Sequence, residues 1–226
     1  LIYMTQMTKV PAPVALRQTQ REITRMGHIA ADNLKRALDC FFNYSTSKAA
    51  SVRSHEESVN ILNHLIADAM VDLRSLDLSP ENMRRVSMMT IAVTDIERLS
   101  DHAENIVEYI EQMNAKKAEM SEAARKELLD MSQDALDAVY LALDIFEKDD
   151  YSKLDQIEIL EQHVDDHEKD LINNHIERIM NSMCNPLGGV IFSDLVTDLE
   201  RCSDHAINLA YALKERPSEL DAPKLV

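Results

Sequence analysis

The feature that most constrains the fold of this chain is an internal duplication. The thirteen residues VTDIERLSDHAEN from Val93 recur as VTDLERCSDHAIN from Val196, and ten of the thirteen positions are identical. A second match, offset by 105 residues, pairs Met26 with Met131, Ala30 with Ala135, Asp32 with Asp137, Ala37 with Ala142, Leu38 with Leu143, Asp39 with Asp144 and Phe41 with Phe146. Because this repeat is far longer than a solenoid unit of roughly 20–50 residues, each copy is predicted to be one small domain.

The composition predicts that each copy is helical. Only three glycines and six prolines occur among 226 residues, which leaves little material for turns. Aromatic residues make up 4% of the chain and tryptophan is absent, so the core is expected to consist of aliphatic and methionine side chains packed between helices. An all-β fold is therefore disfavoured. Apolar residues also recur at helical spacing and predict a buried stripe at Ile96, Leu99, Ala103, Ile106 and Ile110.

Polar and proline-containing breaks divide each copy into three helices. The predicted helices are 13–44, 48–77 and 80–113 in the first copy and 119–148, 152–182 and 187–215 in the second. The predicted fold is all-α, with two tandem three-helix bundles related by duplication and each running up, down and up. The predicted division is an N-terminal linker at 1–12, a first bundle at 13–116, a second bundle at 117–216 and a C-terminal tail at 217–226.

The charge and the cysteines restrict the function. A formal net charge of −16 disfavours nucleic acid and anionic membranes and favours cationic partners or metal ions. The three cysteines, Cys40, Cys184 and Cys202, form no CxxC pair, so neither a disulfide framework nor a zinc knuckle is indicated. These features fit a reducing cytoplasm.

Within the repeated segment, each copy carries two acidic residues four positions apart, on one helix face. The pairs are Glu97 with Asp101 and Glu200 with Asp204, and an asparagine follows each pair at Asn105 and Asn208. At about 100° per residue, these residues are expected to point away from the apolar stripe and out of their own bundle. Packing inside the bundle does not explain why both copies keep this set, whereas a shared task on the outer face would.

The middle helices carry matching pairs, Glu56 with Asn60 in the first copy and Glu161 with Asp165 in the second. In an antiparallel hairpin these pairs are expected at the same height as the acids of the third helix. Clustered oxygen ligands suit hard or borderline cations, so magnesium, manganese, calcium or iron, as divalent or ferric ions, are the predicted cofactors. The amide oxygens of Asn105 and Asn208 are predicted as metal ligands beside the acids.

Two other interpretations of these acids remain open. The first is that they form an ordinary solvated helix face of an acidic protein, partly neutralised by Arg98 and Arg201. His102 and His205 follow the aspartates and are either metal ligands and their partners or residues that only flank the apolar stripe. A catalytic role has no positive support, because no glycine-rich phosphate loop or GxSxG elbow is present.

The segments ERLSDHAENI and ERCSDHAINL resemble the signature of the PhoU family of phosphate-uptake regulators. The resemblance covers nearly the whole chain and implies two tandem three-helix bundles, with acid-xxx-acid motifs that hold multinuclear metal clusters on the surface. Carried over by position, it implies ligands at Glu97, Asp101, Glu200 and Asp204, with counterparts at Glu56, Glu161 and Asp165. Asn60 departs from the acid expected there, which predicts a weaker first site.

The resemblance also implies partners. The segment LIYMTQMTKVPAPVALRQTQREITRMG, residues 1–27, resembles the linker after the membrane domain of sodium/phosphate cotransporters. The first expectation is therefore a non-enzymatic cytoplasmic domain of such a membrane protein, with the transporter domain on the same chain. The alternatives are a free-standing PhoU that attenuates a phosphate-sensing histidine kinase and its ABC transporter, or a metal-free helical adaptor. No apolar run approaches the roughly 20 residues of a membrane span, and the sequence leaves a homodimer open.

Overall fold

The structure is a computed structural model that describes residues 1–4 and 9–214. This part of the chain contains α-helices and a short 3₁₀ turn at Tyr151–Lys153, without any strand. The helices are α1 (Ala12–Phe42), α2 (Thr46–Arg74), α3 (Pro80–Lys116), α4 (Glu122–Lys148), α5 (Leu154–Met180) and α6 (Pro186–Tyr211). The all-α prediction is confirmed, and all six predicted helices are present with ends shifted by a few residues.

Polar side chains fix where the helices begin. Ser45, Ser79 and Ser121 accept hydrogen bonds from backbone N–H groups in the first turns of α2, α3 and α4, and Asn185 does the same for α6. These caps satisfy N–H groups that have no partner inside the helix. The short serine-containing and asparagine-containing breaks in the sequence therefore form the turns that reverse the chain.

The six helices form two three-helix bundles that pack side by side. Helices α1, α2 and α3 contact one another, as do α4, α5 and α6, while α1 packs on α4 and α3 packs on α6 between the bundles. The predicted apolar stripe of α3 lies in the core, where Ile96, Leu99 and Ile106 are completely buried. Gly27 of α1 lies against Leu143 of α4, and a Cβ atom at position 27 would force the tip of the Leu143 side chain to shift.

The first four residues fold back on α1. Glu22 is completely buried on α1, and its carboxylate accepts hydrogen bonds of 2.8 Å and 2.6 Å from the backbone N–H groups of Ile2 and Tyr3. Burial raises the pKa of Glu22, but these bonds and the neighbouring Arg25 outweigh it and leave the pKa lowered. An ionised buried carboxylate therefore anchors the start of the chain. The tail predicted at 217–226 lies outside the described residues.

Candidate metal site

The acids predicted as metal ligands lie along the outer grooves of the two bundles. We call Glu161, Asp165, Glu200 and Asp204, between α5 and α6, the second acidic seam. We call Glu56, Asn60, Glu97 and Asp101, between α2 and α3, the first acidic seam. The structure brings the residues of α5 close to those of α6, and those of α2 close to those of α3, as the hairpin geometry predicts.

The second acidic seam concentrates negative charge around Glu200. This side chain is half-buried, and desolvation together with the carboxylates of Asp204, Glu168 and Asp165 raises its pKa to about 7. Burial and then the charges of Asp165 and Asp204 also raise the pKa of Glu161. Such carboxylates repel one another when ionised, so a cation between them would relieve both the repulsion and the loss of hydration.

The first acidic seam is partly neutralised by its own neighbours. The amide nitrogen of Asn60 donates a hydrogen bond to the buried carboxylate of Glu56. Arg98 lies 3.6 Å from the Asp101 carboxylate and 4.0 Å from that of Glu97. Among the described residues, Arg201 forms no ion pair within 4 Å of the second acidic seam, and its charge lowers the pKa of Glu200 less than burial and the neighbouring carboxylates raise it. The first seam therefore holds less uncompensated charge than the second.

The two predicted asparagines differ in their surroundings. Asn208 is exposed on α6, whereas the amide of Asn105 donates to Asp198 of α6 at 3.4 Å. Asn105 therefore lies towards the contact between the bundles, and it is the exception to the expectation that the repeated polar set faces solvent. Its role as a metal ligand stays a prediction.

Two histidines form reciprocal contacts with aspartates between the bundles, which the sequence analysis did not predict. His102 lies 3.0 Å from the carboxylate of Asp198, and His205 lies 3.0 Å from that of Asp95. Each histidine thus pairs with the aspartate of the other copy, and the two rings lie 5.8 Å apart. We call these four residues the interbundle joint.

Asp198 accepts several hydrogen bonds across the interbundle joint. Besides His102 and Asn105, the hydroxyl of Tyr109 donates to its carboxylate at 2.9 Å. Burial and the charge of Asp198 raise the pKa of Tyr109, so this hydroxyl keeps its proton and remains a donor. The repeated VTD and SDHA segments carried the signal for this contact, because both halves of each pair are conserved between the copies of the repeat.

The donor set of both seams fits hard cations. It consists of carboxylate and amide oxygens, the ligands that magnesium, calcium, manganese and ferric ions prefer over thiolates. In residues 1–4 and 9–214, no three His, Cys, Asp or Glu side chains already converge on one point at metal-binding distance. Binding through three or more of these acids would therefore require their flexible side chains to rotate towards one another.

Comparison with known proteins identifies the family. The family model described as PhoU domain matches the chain twice, over residues 23–110 and 128–213, one match in each bundle. The chain belongs to the PhoU family. Among curated proteins, it is 28% identical over 94 residues to the phosphate-specific transport system accessory protein PhoU homolog of Rhizobium meliloti. That alignment covers 42% of this chain and 39% of the relative, so it spans well under half of either protein.

Solved PhoU structures share the fold. The crystal structure of PhoU from Pseudomonas aeruginosa superposes with a TM-score of 0.81 at 19% identity, covering 88% of this chain and 94% of that one. The PhoU regulatory protein of the Streptococcus pneumoniae phosphate transport system gives 0.80 at 19% identity, covering 90% and 95%. At such identity the likeness establishes the PhoU fold alone. No helix of the described part is long and apolar enough to cross a membrane.

The raised pKa of Glu200 predicts a pH dependence of stability for this PhoU protein. Because the folded-state pKa of about 7 lies above the ordinary 4.5, the stabilisation is complete below pH 4.5 and is lost as the pH rises towards 7. Between pH 4.5 and 7, we expect the free energy of unfolding to fall by about 1–2 kcal/mol more in the wild type than in Glu200→Gln, after allowing for solvent screening. Urea unfolding in chelator across that window measures it, with the exposed Glu177→Gln as control. Equal slopes for the wild type and Glu200→Gln would contradict the assignment.

Proposed function

We propose that this chain is a non-enzymatic PhoU-type regulator of phosphate uptake that acts on the cytoplasmic side through contacts with phosphate-transport or sensor proteins. The observation that carries the proposal is the double match to the PhoU domain, one in each bundle. The Rhizobium meliloti relative, an accessory protein of phosphate-specific transport, supports the same process. None of these comparisons suggests an enzymatic reaction.

The sequence analysis considered a cytoplasmic domain of a sodium/phosphate cotransporter and a free-standing PhoU regulator. We favour the PhoU regulator. The support is that the Rhizobium meliloti relative is an accessory protein of phosphate-specific transport, and that this chain covers 94% and 95% of the two solved PhoU chains.

We further propose that the two acidic seams bind divalent or ferric ions. The support is the grouping of these carboxylates: burial first, and then the charge of neighbouring carboxylates, raises the pKa of Glu200, Glu161 and Glu97. When bound, an ion with open coordination positions supplies a site for phosphate oxygens, which the carboxylates alone would repel. The carboxylates of the seams hold the ion, and phosphate reaches this surface only through it.

The proposal predicts a change in phosphate uptake in the organism that encodes this chain. Deletion of its gene is expected to raise phosphate uptake at high external phosphate, and re-expression of the wild-type protein to restore the lower rate, because the regulator attenuates transport. Uptake of radiolabelled phosphate by whole cells measures both. The Glu200→Ala/Asp204→Ala double variant should fail to restore the lower rate.

The matched control is Asp166→Ala, which removes an exposed carboxylate of α5 outside both seams. It should restore the lower rate as the wild type does, provided that immunoblots show equal amounts of each protein. Uptake that is the same with and without the gene at every phosphate concentration would refute the regulatory proposal.

A further inference from the structure

An apolar groove opens between α5 and α6 where these helices meet their connecting turn. It has a volume of about 520 Å³. Its walls include Ile172, Ile176 and Ile179 of α5 and Val190 of α6. Three of these side chains are exposed despite being apolar, Ile176 at 48%, Ile179 at 54% and Val190 at 59%. A cluster of this kind beside a groove marks a contact surface in many proteins.

The internal duplication allows each wall residue of the groove to be compared with its counterpart in the first bundle. The same helices pack there although three of the four equivalent positions lack a large apolar side chain. Ile172, Ile179 and Val190 correspond to Ala67, Arg74 and Ser87. In the first bundle, Arg74 donates a hydrogen bond to Thr90 and bridges α2 to α3 with polar groups. At these three positions the large apolar side chain is thus specific to the second copy.

The apolar groove runs directly into the second acidic seam. One face of α5 joins the two regions, because its residues are spaced three or four positions apart. It carries residues 161, 165, 168, 172, 176 and 179. On α6, the face that carries Val190 continues through exposed Thr197 to Glu200 and Asp204. One continuous surface is therefore apolar near the turn and strongly acidic farther along. Ile176 and Asp165 are separated by about 16 Å along the helix, at 1.5 Å per residue.

We propose that this surface docks an amphipathic helix of a partner protein, with two or three large apolar side chains at one end and lysine or arginine about three turns farther along. Charge complementarity selects this occupant, because basic residues would meet Asp165, Glu200 and Asp204 while the apolar residues fill the groove. The inference deepens the proposed regulatory function, on which it rests, by naming the face and the partner chemistry. A second copy of this chain carries a net charge of −16 and would bring like charges together.

Metal ions and the basic end of such a helix use the same carboxylates. They therefore compete, and loading of the second acidic seam with metal weakens docking. This gives the regulator a way to change its partner affinity with its metal content.

The test is selection from a displayed library of helical peptides against the full chain, followed by fluorescence anisotropy with the synthetic peptide that binds best. Selected peptides should combine apolar residues with lysine or arginine about eleven residues away along the helix. Ile176→Glu should weaken binding by at least about tenfold, the cost of losing a central apolar contact. The internal control is Val71→Glu, at the equivalent and exposed position of α2, which should change the affinity by less than about twofold.

Manganese at saturating concentration should weaken binding of the same peptide. The Ile176→Glu substitution should leave manganese uptake unchanged. A chain that takes up no manganese but binds the peptide through Ile176 supports the docking surface and refutes only the metal proposal. The docking proposal is overturned if the selected peptides are acidic, or if Val71→Glu weakens binding as much as Ile176→Glu. It is also overturned if Ile176→Glu abolishes self-association in sedimentation, or binding to phosphatidylglycerol vesicles, without affecting any peptide.

Discussion

Replacing Asp198 by alanine should lower the free energy of unfolding by about 3 kcal/mol and the melting temperature by roughly 6–12 °C. Asp198 is 7% exposed and accepts hydrogen bonds from three side chains of α3. Its removal leaves His102 and Tyr109 without their partner in a site that water reaches poorly. The loss of those bonds, rather than the loss of a surface charge, produces the expected effect.

Thermal and urea unfolding of the two proteins measure this difference. The matched control is Asp194→Ala, which removes an exposed aspartate four residues earlier on the same helix. A double-mutant cycle of Asp198→Ala with His102→Ala should show a coupling energy of about 1–2 kcal/mol, because the two side chains share one contact. If Asp198→Ala unfolds at the same temperature as Asp194→Ala, the interbundle joint does not hold the bundles together.

The fold could be predicted from the sequence because the determining signals are local. The spacing of Ile96, Leu99 and Ile106 marks the buried face of α3, and Ser79 followed by Pro80 marks where that helix begins. Because the sequence is repeated, the same predictions apply to the equivalent positions of the second copy. The neighbourhood of the acids on α2 and α3, or on α5 and α6, also follows from simple hairpin geometry.

The packing of one bundle on the other could not be predicted in the same way. Helical spacing identifies which face of a helix is polar, but not whether that face meets solvent or a second domain. Asp95 and Asp198 are polar residues buried at 8% and 7% exposure, and the periodicity gave no reason to place them opposite histidines of the other copy. For the same reason, the contact of Asn105 with Asp198 was not anticipated.

The apolar groove was missed for a related reason. Ile172, Ile176 and Ile179 have the spacing of a buried helix face, and nothing in the sequence shows that they remain partly exposed. Comparison with the first bundle shows that Ile172 and Ile179 replace Ala67 and Arg74, whereas the counterpart of Ile176 is the apolar Val71.

Removing one carboxylate from the second acidic seam should abolish tight cation binding there. We expect Asp204→Ala to weaken manganese binding in that bundle by more than about tenfold, since even loss of a residue that only supports a metal ligand costs 10–100-fold. The physical reason is that Glu161, Asp165 and Glu200 alone supply fewer oxygens and less negative charge than the complete seam.

The first acidic seam should bind more weakly than the second. Asn60 takes the place of the acid found at Asp165 and donates to Glu56, and Arg98 lies beside both Glu97 and Asp101. An ion there must displace the arginine and compete with the amide. Asp101→Ala should therefore remove only a weak binding event and leave the tighter one intact.

Isothermal titration calorimetry with manganese on the chelator-stripped chain tests the metal-binding proposal most directly. We expect two classes of site in the wild type, the tighter one lost in Asp204→Ala and the weaker one lost in Asp101→Ala. The exposed Asp166→Ala should retain both classes. If the wild type takes up no manganese or ferric ion, or if Asp204→Ala binds as tightly as its parent, the acidic seams are ordinary solvated helix faces and the metal proposal is wrong.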